Sequence, residues 1–442
     1  MSSDLAAVVM AGGLGTRMKS SVPKHLHPVV GKRVVDWVLD AASSAGADPV
    51  VVVASPETRD EYDGGVTVAV QERPLGTGNA VASARDALRG FEGAVLVLDA
   101  AAPLLTGDLL RELLDEHGRS GADVTVLSIV PGRPLPYGRI VRGDDGTVQA
   151  IVEEGDATLE QRAIAELNSS IYVFDSGALW RALEQLEPHN AQGELYLTDT
   201  VQHIVESGAR AAAWTCEDAT ATIGINTRAE LALAASVLRE RINEAHMLAG
   251  VTIVDPQTTW IDAEVELAPD VIVHPFTVLR GATSVGAGSE IGPHAVVVDA
   301  RIGERVLIGP FCYVRPGTVL EPDAKAGTFV EIKNSRIGAR TKVPHLSYIG
   351  DAEIGEDTNV AAGNITANFP HEPGKPKGRT TIGSNVRTGI HNGFEAPVTI
   401  GDGAWIAGGS YIRKDVPPDS LAGFPPRQVN KEAYVRRKRD EG

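Results

Sequence analysis

Close to the start of the chain, directly after an apolar run, stands Gly12-Gly13-Leu14-Gly15-Thr16-Arg17-Met18, and Pro23-Lys24 follows. Glycines let backbone N–H groups come close to a polyphosphate, and a helix beginning there would add a favourable dipole. Arg17 and Lys24 bring positive charge for phosphates and for a departing pyrophosphate. A bare glycine cluster would carry little weight. A strand, then glycines, then Arg and Pro-Lys in this order points to phosphate handling. Far along the chain a second set comprises Arg315, Lys333, His345, Tyr348, Asn359 and Asn368. A histidine of ordinary pKa, about 6.5, can take a proton at neutral pH, and Arg and Lys suit a phosphate. Taken singly, His345 reads as a turn residue and the two cations as solvated surface charges. Only the elements that carry them can turn these residues into a site.

Those elements differ in kind along the chain. Up to about Asn226, short apolar runs (Ala6–Met10, Val50–Ala54, Val95–Leu98, Val124–Val130) alternate with helical patterns (Val34–Ser44, Gly78–Arg89, Leu109–His117). Such alternation predicts a mostly parallel sheet with helices on both faces and ligands at the carboxyl ends of its strands. Leu231, Ala235, Leu238, Ile242 and Ala245 then fall on one face of a helix. Beyond it the period becomes six: Ile261, Leu267, Val273, Leu279, Val285, Ile291 and Val297, resuming through Ile302, Ile308, Val314, Leu320, Ala326 and Ile332, and again at Val343, Ile349, Val360, Ile400, Ile406 and Ile412. A hexapeptide period predicts a parallel β-helix whose inward side chains stack in layers. Residues one coil apart then lie above one another, which would gather the Arg315–Asn368 set. The expected partition is 1–226, a linker helix 227–250, a β-helix 251–430 and a basic tail 431–442. In that tail Arg436-Arg437-Lys438-Arg439 reads as a solvated charge run.

A chain of 442 residues is expected to form two or three domains. The formal net charge of −17 argues against a general nucleic-acid binder. Cys216 and Cys312 are too few for a disulfide framework or a thiolate cluster and read as structural thiols. The N-terminus lacks a signal-peptide pattern and no apolar run is long enough to span a bilayer, so a cytoplasmic protein without membrane insertion is expected.

The glycine loop with Pro23-Lys24 resembles the sugar-1-phosphate nucleotidyltransferases. Gln71 with Leu75-Gly76-Thr77-Gly78, Tyr137-Gly138-Arg139, Glu153, Asn168, Asn190-Ala191-Gln192-Gly193-Glu194 and His345-Leu346-Ser347-Tyr348 narrow the likeness. Over nearly its whole length the chain resembles the bifunctional N-acetylglucosamine-1-phosphate uridylyltransferase/glucosamine-1-phosphate N-acetyltransferase family. The resemblance implies a Rossmann-like α/β nucleotidyltransferase domain followed by a left-handed β-helix acetyltransferase domain, assembled as a homotrimer. It implies UTP held by Ala11, Gly12, Gly13, Lys24, Gln71, Gly76 and Thr77, and the sugar held by Gly138, Glu153, Asn168 and Asn226. In the second half it implies His345 as base, with Arg315, Lys333, Tyr348 and Asn359 on the sugar phosphate. Acetyl-CoA would meet Ala362, Asn368, Phe369, Ile390, Gly408 and Arg427.

Mg2+ is implied at Asn226 and at an Asp ending a strand, but in ungapped register that Asp is Ala101. A methyl group cannot ligate a hard cation. Asp99, two residues earlier, would serve only if the strand end were shifted. Asn226 has a plainer reading as the cap of the helix after it. The expectation is a uridylyl half that binds its substrates and turns over slowly. Two alternatives stand beside the bifunctional enzyme: an acetyltransferase whose nucleotidyl domain binds or regulates, and a non-catalytic trimeric scaffold. Smaller departures are Asn79 for His, Ser170 for Gly, Phe369 for Tyr, Ile390 for Ser and Gly408 for Ala, with a longer loop at Pro370–Gly378.

Overall fold

A computed structural model describes residues 5–13, 15–62, 64–132, 135–370, 374–424 and 428–440. It forms two compact units, Met1–Leu238 and Arg239–Gly442, the division falling within the helix Arg228–Leu248.

The first unit is built on one sheet in the order Ala211–Cys216, Val124–Ile129, Leu167–Asp175, Ala94–Asp99, Leu5–Ala11, Val50–Ala54, Thr67–Val70. Its apolar runs are continuous because both faces are covered. Leu5, Ala7, Val9 and Ala11 enter one buried cluster, while Ala6 and Val8 enter another. The pairings are parallel except around Leu167–Asp175, which runs antiparallel to both its neighbours. This reversal brings residues 168–170 to the edge where the parallel strands end, beside Asp99, which is level with Met10.

Two helical expectations are corrected. The helix predicted over Gly78–Arg89 spans Thr77–Ser83. Beyond it the chain tightens into turns, with Leu88 N–H shared between the Ala84 and Arg85 carbonyls, and Leu88 enters the core. In the helix Arg228–Leu248 the predicted apolar stripe loses its last member, because Ala245 is exposed. Asn243 is buried instead, donating Nδ2 to the carbonyls of Pro256 and Thr259 at 3.0 and 3.1 Å. A polar residue takes that place because loop carbonyls there need donors.

The second unit is a left-handed parallel β-helix. Two- to four-residue strands stack into long ladders, one running from Thr252–Ile253 to Lys342–His345 and another from Trp260–Ile261 to Tyr411–Ile412. Registers such as Val273↔Ile291↔Ile308↔Ala326↔Val343 superpose residues 17 or 18 positions apart. Nearly all the six-fold apolar positions are fully buried, Leu267 being half-buried. The short five-residue steps are absorbed at corners.

Those corners also carry a polar layer that the apolar period does not announce. Ser289 Oγ donates to Gly303 O and accepts from Val306 N, and Ser335 and Thr341 make the same pair of bonds 14 and 17 residues ahead. Each hydroxyl satisfies backbone groups of the next coil that water cannot reach. At another corner Phe276, His294, Phe311 and Phe329 stack in file with centroids 4.8, 4.8 and 5.3 Å apart.

Candidate active sites

The carboxyl edge of the α/β sheet opens into a cleft of about 450 Å³ lined by Gly12, Gly13, Lys24, Gln71, Gly76, Thr77, Asp99 and Ser170 among others. Ala11 is the last residue of its strand, which leads straight into the glycines. A Cβ on Gly12 would lie 2.5 Å from Gln71 Oε1, so glycine lets that side chain close on the loop without shifting. Gln71 is itself fixed, its Nε2 donating to Gly76 O at 3.1 Å and to Asn79 Oδ1 at 2.9 Å. Thr77 Oγ1 accepts from Leu197 N at 2.9 Å, which ties the Asn190–Asp199 segment to the cleft wall. The helix expected behind the glycines is a single 3₁₀ turn, Thr16–Met18, too short to add a useful dipole. Backbone N–H groups and Lys24 must do that work. Leu14 lies outside the described residues.

A second cleft of about 280 Å³ adjoins the first and is lined by Arg17, Gly138, Glu153, Asn168 and Asn226 among others. Gly138 fits between Glu153 and Asn168: a Cβ there would come 3.4 Å from Glu153 Oε1 and 3.5 Å from Asn168 Cβ. Asn168 donates Nδ2 to the Tyr172 hydroxyl at 2.8 Å and accepts from Ser170 N at 3.0 Å. Burial pushes the Glu153 carboxyl above its ordinary value. Lys24, Asp99 and Ser170 line both clefts. Lys24 Nζ stands 3.5 Å from Asp99 Oδ2 and 3.4 Å from Asn226 Oδ1.

Asn226 does not cap the helix that follows. Thr227 does, its Oγ1 accepting from Glu230 N at 3.2 Å, while Glu230 Oε2 accepts from the N–H groups of Asn226 and Thr227 at 2.8 Å. This capping box frees the Asn226 amide for the cleft. Ala101 is fully buried in an apolar cluster with Met18, Leu104, Ile225 and Ala234.

In the β-helix, the register Tyr313↔Glu331↔Tyr348 and Lys333↔Gly350 brings Arg315, Lys333, Tyr348 and Asn368 to one face. Arg315 is paired with Glu331 at 2.7 Å. The residue that organises the group is Asp351, which the six-residue period did not reveal because it follows an inward position. Asp351 accepts from Lys333 Nζ at 3.2 Å, from Asn334 Nδ2 at 2.6 Å and from Asn368 Nδ2. Burial raises its carboxyl, and the three donors outweigh that and hold it below its ordinary value. Lys377 joins from the following loop, its ammonium drawn below its ordinary value beside Lys333. Its Nζ lies 5.9 Å from the Phe369 ring.

His345 is exposed and ends a strand one corner before Tyr348. Asn359 sits on the neighbouring face, in the file Lys342–Asn359–Arg387. Ala362, Ile390 and Gly408 form a column, since Ala362 O accepts from His391 N and Ile390 O from Gly409 N, both at 2.8 Å. Asn368 is nearly buried and Phe369 mostly exposed. Arg427, with Pro425 and Pro426, lies outside the described residues, as do His371, Glu372 and Pro373.

Residues 7–197 match the model of the MobA-like NTP transferase domain. Nearly the whole chain aligns at 44% identity with proteins named Bifunctional protein GlmU. One, from Caldanaerobacter subterraneus subsp. tengcongensis, is matched over 99% of both chains. Others, from Corynebacterium glutamicum and Mycolicibacterium vanbaalenii, are matched over 98 and 99% of this chain and 94% of their own. This chain belongs to the bifunctional GlmU family.

Three of the departures from the GlmU pattern have a local setting in the structure. Asn79 keeps an acceptor for Gln71. Ser170 holds a φ of 65°, a conformation that favours glycine, and its N–H is tied to Asn168 Oδ1. Gly408 packs over Ile390, where a Cβ would lie 3.3 Å from the Ile390 carbonyl oxygen. Among the described residues no helix is long and apolar enough to cross a membrane. Cys216 and Cys312 are both free and buried.

Proposed function

We propose that the chain is a two-site transferase that makes UDP-N-acetylglucosamine, acetylating glucosamine 1-phosphate in the β-helix and uridylylating the product in the α/β unit. The observation that carries the uridylyl reading is the meeting of two clefts at Lys24, Asp99 and Ser170. A nucleotide in the first cleft and a sugar phosphate in the second would face each other there. Ala11, Gly12, Gly13, Gln71, Gly76 and Thr77 hold UTP, and Gly138, Glu153, Asn168 and Asn226 hold the sugar. A sugar-phosphate oxygen attacks the α-phosphorus, the bond to the bridging oxygen breaks, and pyrophosphate leaves. Lys24 and Arg17 stabilise the charge that gathers on the phosphates.

In the β-helix, Arg315, Lys333, Tyr348 and Asn359 hold the sugar phosphate, and His345 takes the proton of the ammonium group. The freed amine then attacks the thioester carbonyl, a C–N bond forms, the C–S bond breaks, and coenzyme A leaves. Acetyl-CoA lies along the column Ala362, Ile390, Gly408, with Asn368 and Phe369 beside it, in a homotrimer whose acetyl site is shared between copies. We place the enzyme in the cytoplasm, where these co-substrates are made. Asn226 would help to hold a magnesium ion, which would supply positive charge against that developing on the phosphates. Asn226 offers it an amide oxygen and Ala101 offers none.

The test is pyrophosphate release from UTP and N-acetylglucosamine 1-phosphate with Mg2+, run beside coenzyme A release from acetyl-CoA and glucosamine 1-phosphate. Both products are expected. Thiol without pyrophosphate would favour the second reading, suggested by Ala101, in which only the acetyltransferase turns over. Neither product would leave the scaffold reading.

A further inference from the structure

We infer that Asp99 supplies the carboxylate for a divalent cation in the α/β unit, paired with the Asn226 amide oxygen, in place of the side chain lost at position 101. The inference rests on the uridylyl-transfer reading above. Four observations carry it.

Asp99 lines both clefts, so it stands where the phosphates of the two substrates would meet. Its Oδ2 and Asn226 Oδ1 converge on one positive charge, Lys24 Nζ, at 3.5 and 3.4 Å, although the two residues are 127 positions apart in sequence. The strand ends at Asp99, and Oδ1 accepts from Ala101 N at 3.0 Å, which turns the second oxygen toward the cleft. Ala101 itself is packed in an apolar cluster, with its carbonyl taken by Ile225 N at 2.7 Å, and its methyl group offers no oxygen to the cleft.

The donor chemistry fits a magnesium-like ion. Such an ion is typically bound through one or two protein carboxylates together with substrate phosphates and water, not by an all-protein cage. One carboxylate, one amide oxygen and incoming phosphates make such a set. Asp99 remains 29% exposed at its side chain, so phosphate and water can reach it. Lys24 would then move from its place between the two oxygens onto a phosphate, keeping the charge of the site balanced.

The experiment is Mn2+ titration of the full-length protein, followed by electron paramagnetic resonance, with UDP-N-acetylglucosamine present. Metal-free binding of the same nucleotide is measured in parallel. Asp99→Asn keeps the shape and one oxygen, and is expected to weaken Mn2+ by at least about tenfold, since even outer residues of metal sites cost that much. The circular dichroism spectrum and thermal midpoint of the variant are expected to stay near the wild-type values, which establishes that the unit is folded. Unchanged Mn2+ affinity in Asp99→Asn overturns the assignment while the uridylyl reading survives. Nucleotide binding without any Mn2+ binding in the wild type overturns it likewise. Failure of the wild type to bind the nucleotide at all overturns the reading and the assignment together.

Discussion

The two units assemble their sites by opposite routes. In the α/β unit, Gly12, Gln71, Asp99, Asn168 and Asn226 come from five different segments and meet only because parallel strands end at one edge. In the β-helix, Arg315, Lys333, Asp351 and Asn368 lie 17 or 18 residues apart and meet because each coil stacks on the last. The first arrangement can exchange one strand-end residue for another, as Asp99 and Ala101 illustrate, since several backbone positions reach the same space. The second has a fixed repeat: a side chain moved by one residue points to the other side of the wall.

If the comparison holds, each site can be silenced alone. His345→Ala is expected to lower acetyl transfer by about 10³-fold, within the range for loss of a general base. Uridylyl transfer and the thermal midpoint stay unchanged. Acetyl transfer at the wild-type rate would remove His345 from the mechanism. Lys24→Ala is expected to lower uridylyl transfer by about 10²- to 10³-fold, as for loss of a charge-stabilising donor. Coenzyme A release should not respond, and a parallel fall would mean the two units are coupled.

Stability separates them as well. Ile332→Ala removes a fully buried side chain from a wall in which each coil supports the next. The expected cost is about 2–5 kcal/mol, read as a lower denaturant midpoint for the β-sheet signal with loss of acetyl transfer. Nucleotide binding in the α/β unit should persist to higher denaturant.

The smallest effect probes Asp351. Asp351→Asn leaves one acceptor oxygen where the carboxylate had two, so Lys333 or Asn334 loses its partner and the charge assistance goes with it; the KM for glucosamine 1-phosphate is expected to rise by at least about tenfold, one such hydrogen bond's worth. A change in kcat with KM intact would count against a positioning role. The same variant carries a pH signature. Because the folded carboxyl lies below its ordinary value of 3.8, its stabilisation is complete above that value and is lost as pH falls through the lower folded one. The stability gap between wild type and variant, followed by denaturation from about pH 6 to about pH 3, should therefore narrow with acid.

The β-helix could be read from the sequence almost residue by residue, because one inward position in six is enough to define its wall. Its polar corner layer and Asp351 could not, since serines, threonines and aspartates recur in any surface loop. In the α/β unit the glycine loop, Lys24 and the strand runs were legible through local order. The end of the Thr77–Ser83 helix and the single turn at Thr16–Met18 depended on packing and on neighbouring loops instead.

What the sequence determined by itself is the pair of architectures and the supply of chemical groups, since periodicity and residue type are local properties. Which groups meet was decided by tertiary structure. The reversed strand Leu167–Asp175 turns Asn168 to the cleft, Thr227 takes the cap and leaves Asn226 free, and a buried Ala101 leaves Asp99 to face Lys24. Each of these depends on strand direction or on competition for a hydrogen bond between distant residues, and no spacing along one chain records either.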